Sequence, residues 1–279
     1  MKFKTLSKDH HAAQCDSWAD FLDWIKATPK MEHPHSDARS AHMQSWTGSD
    51  SFDHSMNLAE MGWGEGLELI RELDANPMTD DSVATVSPVM ESSVVGDWYD
   101  MGDVIAGVPD CARYMAEDIT AREGKIVDAY INLSVSAGVN TEEVKLRGAA
   151  LMSLVDGLEA RGFRVNVFAS FSGKGYDMRH HEVQMPLKRS DEQMDRSVLA
   201  FAVIHPSTFR RLGFRALELM EDKFGGDMCK VGTYGRPHTT QYTDMPGIHI
   251  PHGLLNTRGA SKQWIEETIK KYTEGETNE

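Results

Sequence analysis

Cysteine is scarce in this chain, with three among 279 residues. Cys15, Cys111 and Cys229 lie far apart and form no CxxC pair, which argues against a disulfide framework or a cysteine zinc cage and fits a reducing compartment. Basic residues are also under-represented: 29 Lys and Arg stand against 43 Asp and Glu, a formal charge of -14. Such a chain repels duplex phosphates unless its cations gather on one face, so generic coating of nucleic acid is disfavoured while local binding is not. Long apolar runs are missing too. None approaches the roughly 18 residues that span a bilayer, and the opening MKFKTLSKDHHAAQCDSW has no apolar core of signal-peptide length. The expectation is a soluble intracellular protein, long enough to bury a core without staples.

Helical periodicity comes first along the chain. In DSWADFLDWIKA, Trp18, Phe21, Leu22 and Ile25 recur at helical spacing behind an Asp16 or Ser17 cap, and the pattern stops before Pro29. After a polar loop, Ser51 can cap a second helix carrying Phe52, Met56, Leu58 and Ala59. Gly62, Gly64 and Gly66 flank Trp63 and predict two helices meeting at a tight turn. A stretch rich in Ser, Thr, Pro and Asp follows and reads as a linker or weak edge strands. The expected organisation is a helical region at 1–75, a linker at 76–96, and an α/β domain at 97–279 with an irregular Gly-, Pro- and His-rich segment at 225–257.

Within that domain, Pro109 is expected to open a helix with Cys111, Tyr114 and Met115 on its apolar stripe. The clearest pattern begins at Lys125. KIVDAYINLSV reads as a strand, the segment from a Thr141 cap to a stop at Gly162 as a helix, and FRVNVFASF as a second strand, together a right-handed βαβ unit with parallel strands. HHEVQMPLK reads as an edge strand because of Pro186, and SVLAFAVIHP as a strand buried on both faces. STFRRLGFRALELMEDKFGG and SKQWIEETIKKY read as helices. The fold class expected is α/β, an open and mostly parallel sheet with helices on both faces.

Ligands of such sheets sit beyond the carboxyl ends of the strands, which here are NLSVSAGVN, ASFSGKGYD and HPST. Ser172, Lys174, His205 and Ser207 are thereby candidates for partner binding. Asn132, Ser134 and Ser136 alternate in the first loop, and Thr208 offers a further oxygen. A hard cation prefers carboxylate oxygens, so an amide at Asn132 makes any metal site on this loop weak, and no other cofactor is called for. The other reading is that these serines end a strand and cap the following helix.

Twelve histidines raise a metalloenzyme reading, but none lies in an HExxH pattern. Neighbours on an extended segment point to opposite faces, so His10 with His11, or His180 with His181, cannot easily share a metal. His33 with His35 is a further close pair. In the C-terminal stretch, His238, Asp244, His249 and His252 could converge. SFSGKG is neither a nucleophile elbow nor a P-loop. Arg211 and Arg215, four residues apart on one helix face, could form with Arg179 and Tyr234 a short groove for single-stranded DNA.

The order Asn132-x-Ser134-x-Ser136 resembles the Asp-x-Ser-x-Ser of von Willebrand factor A-type domains, across about Lys125 to Phe224. That resemblance implies a von Willebrand A- or Rossmann-like core whose Mg2+ site lacks its carboxylate. WTGSDSFDHSMNLAEMGWGEG, DVIAGVPDC and LRGAALMSLVDGLEARGFRVNV, ordered across residues 46 to 167, resemble an uncharacterised family of tailed-bacteriophage proteins. This implies a viral protein in the cytoplasm of an infected host, with no reaction to carry over. The function expected is a non-enzymatic accessory protein that binds a viral or host ATPase or polymerase through strand-end loops. The alternatives are a single-stranded DNA-binding cofactor of phage transcription or replication, and a metal-dependent hydrolase using the C-terminal histidines.

Overall fold

A computed structural model describes residues 1–27, 35–73, 88–117, 125–192, 195–227, 229, 237–253 and 255–274. The chain opens with strands β1 (Lys2–Ser7) and β2 (His10–Gln14), followed by helices α1 (Trp18–Ala27), α2 (Ala41–Thr47), α3 (Phe52–Met61) and α4 (Glu65–Leu73). Then come β3 (Pro88–Ser93), β4 (Trp98–Tyr99), α5 (Met101–Ala106) and β5 (Ala112–Glu117). The remainder is β6 (Ile126–Asn132), α6 (Thr141–Glu159), β7 (Arg164–Lys174), β8 (His180–Lys188), α7 (Arg196–Ile204), a π-helical turn at Thr208–Gly213, α8 (Phe214–Phe224), β9 (Ile248–His249) and α9 (Arg258–Glu274). Much of the expected linker, residues 76–87, lies outside the described residues, as do His33 and Tyr234.

Six strands form one mixed, mostly parallel sheet in the order β1-β2-β8-β7-β6-β9. The β2–β8, β6–β7 and β6–β9 pairs are parallel, and β1–β2 and β7–β8 antiparallel. A smaller antiparallel sheet runs β3-β5-β4. The β6-α6-β7 unit stands where its periodicity puts it. Asn140, one residue before the expected Thr141, is the cap of α6, its side chain accepting from the Glu142 amide.

Alternation sorts the large sheet into two unlike faces. Val127, Ala129 and Ile131 of β6, Val165, Val167, Ala169 and Phe171 of β7, and Val183 and Met185 of β8 are buried on the first. Each large side chain there contributes on the order of 2 kcal/mol by leaving water. Phe21 of α1 and Phe209 of the π turn both pack on Phe171, with ring centroids 5.5 and 6.0 Å away. Behind them α6 and α7 meet closely at Gly148, where a Cβ would come within 2.0 Å of the Val203 carbonyl oxygen. Among the described residues, the ring contacts of α1, α8 and the π turn with this sheet fall on this face, while Tyr242, in a 3-10 helix at Gln241–Asp244, meets Tyr130 and Phe168 on the other.

The second face is polar. It carries His10 and Gln14 of β2, His180, Glu182 and Gln184 of β8, Ser170 and Ser172 of β7, and Tyr130 and Asn132 of β6. Residues 237–244 cover it: the His238 amide donates to Ser172 Oγ at 3.1 Å and the Tyr242 ring meets Tyr130 at 5.1 Å, while β9 extends the sheet edge beside β6. Arg147 ties the chain after β9 to the end of β6. Its guanidinium donates to the carbonyls of Asn132, Ile250 and Pro251 at 2.7, 3.0 and 2.9 Å, and burial pulls its pKa down to about 9.

Several expected elements differ. SVLAFAVI is a helix, because Asp195 caps it by accepting from the Ser197 and Val198 amides, and a continuous apolar run suits a helix buried all round as well as a strand. β8 is central, between β2 and β7. Its Pro186 is tolerated because β2 ends opposite Gln184, and a register shift beside Phe168 bulges the strand there. Pro109 follows a helix instead of opening one, and Ala112–Glu117 is strand β5. Besides its helices, the N-terminal segment supplies the β1–β2 hairpin that extends the sheet. The Trp63 turn packs on α7: its amide donates to the Ser197 carbonyl at 3.0 Å and its ring meets His205 edge-on at 4.8 Å.

Candidate metal centre

Parallel pairing of β2 with β8 sets His10 opposite His180 and His11 opposite His181. The two histidines of each dipeptide do point to opposite faces, but each finds a histidine of the other strand beside it. On the polar face the rings of His10 and His180 stack with centroids 4.0 Å apart. Two residues beyond His180, on the same side of β8, stands Glu182. One ligand atom from each of His10, His180 and Glu182 lies within 4.8 Å of the others, and they form the one such group among the described residues.

Glu182 is fully buried and held from several sides. His10 Nε2 lies 3.1 Å from its Oε2, the Gln241 amide reaches both oxygens at 3.2 Å, and the Gln184 side-chain amide donates to Oε1. Gln184 is in turn fixed by Gln14, whose amide donates to its oxygen at 2.8 Å. These contacts orient the carboxylate much as outer-shell hydrogen bonds orient metal ligands. His180 differs: its Nε2 is buried and has no hydrogen-bond partner. Burial, reinforced by the neighbouring His10 and His238 imidazoles, drives the His180 pKa down to about 3. At neutral pH the ring is therefore uncharged, the state that coordinates metal.

Two imidazoles and one carboxylate suit a borderline divalent ion such as Zn2+, Mn2+ or Fe2+ better than Mg2+, and three protein ligands leave a coordination position open. His238 caps the group, its ring centroid 4.3 Å from that of His180. It also lines a cavity of about 550 Å3 together with Tyr130, Asn132, Thr240, Tyr242 and His252. His249 lines the same cavity, whereas Asp244 does not. Of the C-terminal histidines, then, only His238 reaches the cluster; His249 bonds the Met245 carbonyl at 2.8 Å, and burial near Arg147 lowers His252 to about 4.

The expected Mg2+ ligands are not brought together. Asn132 Oδ1 accepts from the Ser134 amide at 3.0 Å, and its Nδ2 donates to the His238 carbonyl at 2.9 Å. Ser134 Oγ is buried and accepts from the Ser172 amide at 2.6 Å, Ser136 is exposed, and Thr208 bonds the Phe201 carbonyl at 2.7 Å inside the helical layer. An amide at position 132 is needed here as a donor. The loop therefore ends a strand and anchors the cover over the second face.

Partner-binding candidates are scattered as well. Ser172 lies buried under His238, Lys174 is half-buried at the end of β7, and His205 and Ser207 bond each other at 2.7 Å within the helical layer. The arginine face turns inward. Arg211 donates to the carbonyls of Ser36, Ala38 and Ser49 and to Ser49 Oγ, at 2.7 to 3.2 Å. Arg215 sits beside Glu218, which also accepts from Ser36, and Arg210 binds the carbonyls of Trp46 and Val139. These three fully buried cations fasten residues 36–50 and the loop before α6 to the core, so they are not presented to a nucleic acid. Arg179 is half-exposed and donates to the Phe224 carbonyl.

The comparisons with known proteins give a family. A family described as Domain of unknown function (DUF7192) matches residues 4–275. The chain belongs to it. No curated protein and no solved structure matches the chain. The family match takes in both strands of the histidine pairing and the C-terminal cover, so the whole cluster lies inside the family domain. No helix of the described residues is long and apolar enough to cross a membrane.

Proposed function

We propose that this protein holds a divalent transition-metal ion between His10, His180 and Glu182, and uses it to hydrolyse a substrate that reaches it past His238 from the cavity His238 lines. The observation that carries this reading is the convergence of two imidazoles and a buried carboxylate within 4.8 Å from strands far apart in sequence. An ion with the fourth position open would polarise a substrate oxygen or activate a bound water, and His238, on the cavity side, is placed to pass protons. The test is titration calorimetry of the metal-stripped protein with Zn2+ and Mn2+, repeated on His180→Ala. Stoichiometric binding lost in the variant is expected; equal binding by both proteins, or by neither, would sink the proposal.

A second reading keeps the accessory protein of an infected cell, acting on a viral or host machine in the host cytoplasm. It is favoured by the phage-like motifs across residues 46 to 167 and by an exposed apolar surface described next. The von Willebrand A-like interpretation of the core draws support from the β6-α6-β7 unit, with Asn132 and Ser134 at its strand end.

A further inference from the structure

Helix α5 is built inside out. Asp100 caps it, accepting from the Gly102 and Asp103 amides, and Gly107 ends it in the left-handed conformation at φ 71°. Met101, Val104 and Ile105 share one face by their spacing of three and four residues. In an ordinary surface helix that face would be buried. Here Met101 is 64% exposed and Ile105 83%, while Asp103 is the half-buried residue, turned inward to an ion pair with Arg113 of β5. Trp98 and Tyr99 of the adjacent edge strand, and Val108 beyond the helix, are also exposed.

Aspartates flank these apolar side chains along the chain. Asp97, Asp100 and Asp110 are exposed among residues 92–113, whose one cation, Arg113, is engaged by Asp100 and Asp103. A second copy of the chain would bring the same acidic rim against itself, and an anionic lipid surface would be repelled by it. We infer that α5 and β4 form a docking surface for a basic amphipathic polypeptide segment, whose apolar side chains cover Met101, Ile105 and Trp98 while its lysines or arginines meet the aspartate rim. Aromatic anchors inside a polar rim are the usual anatomy of a protein interface. This inference is independent of the metal centre.

The experiment is fluorescence anisotropy of the full chain with a helical leucine–lysine peptide and with its leucine–glutamate counterpart. Binding of the basic peptide only is expected, weakening with salt. Both Met101→Ser with Ile105→Ser, which keeps every charge, and Asp97→Asn with Asp110→Asn, which keeps the apolar face, should weaken it about ten-fold, as loss of interface anchors does. All four substitutions are at exposed sites, and an unchanged circular dichroism spectrum confirms folding. Equal binding of both peptides, no binding, or unaltered affinity in the Met101/Ile105 variant would overturn the inference. So would a concentration-dependent dimer in sedimentation that the same variant abolishes, since the face would then belong to a second copy.

Discussion

Two histidine pairs sit one residue apart on the same two strands, and their surroundings make them different objects. His11 and His181 face the helices, where His11 stacks on Phe224 at 4.4 Å and His181 Nε2 bonds the Gly225 carbonyl at 3.0 Å. Their next neighbour on that side of β8 is Val183. His10 and His180 face the polar cover, and theirs is Glu182. Both pairs contain ring nitrogens without partners, so burial of an imidazole does not by itself mark a site. What separates them is a carboxylate at ligand distance and the neighbouring His238, which lines a cavity.

The largest effect expected is at that carboxylate. Glu182→Gln keeps shape and most hydrogen bonds but removes the charge, and should weaken Zn2+ binding by at least about 100-fold, beyond what outer-shell changes do. Calorimetry reads it, and retained affinity would erase the distinction between the pairs. Next, acid should act through His180. Its pKa is about 3 in the fold against an ordinary 6.5, so its contribution is complete above pH 6.5 and is lost as pH falls toward 3, where the unfolded chain takes up a proton the folded one refuses. Urea midpoints across that range should fall with acid, and His180→Gln should flatten the slope by about 1 kcal/mol per pH unit.

His181→Leu should leave metal affinity unchanged while costing about 1 kcal/mol in urea unfolding, through the orphaned Gly225 carbonyl. A loss of metal there would mean the inner pair also contributes. The smallest change expected is Asn132→Asp, which sets a carboxylate against the His238 carbonyl. It should cost about 1 kcal/mol and bring no Mg2+ affinity; a gain in Mg2+ binding would restore the strand-end loop as a metal site.

The β6-α6-β7 unit was legible because its signals are local: strand, cap, periodic helix and glycine stop lie within fifty residues of one another. α7 was not, since an apolar run of that length fits either element, and the decisive Asp195 cap needed to be read as one. The His10–His180–Glu182 cluster was half legible. Opposite orientation of adjacent histidines follows from strand geometry, but the register joining His10 to a partner 172 residues away at Glu182 has no local trace. Arg211 and Arg215 showed the converse limit: helical spacing predicts a shared face, and says nothing of whether it turns to solvent or to carbonyls.

The pairing of β2 with β8 also imposes an order of events. On a growing chain His10 is made early and remains without its partners until Glu182 has emerged, and the covering residue His238 follows later still. Metal loading at this centre would thus be a record of completion, occurring only in molecules whose first hairpin has found the late strand, and an ion bound there would lock the beginning of the chain to its far side.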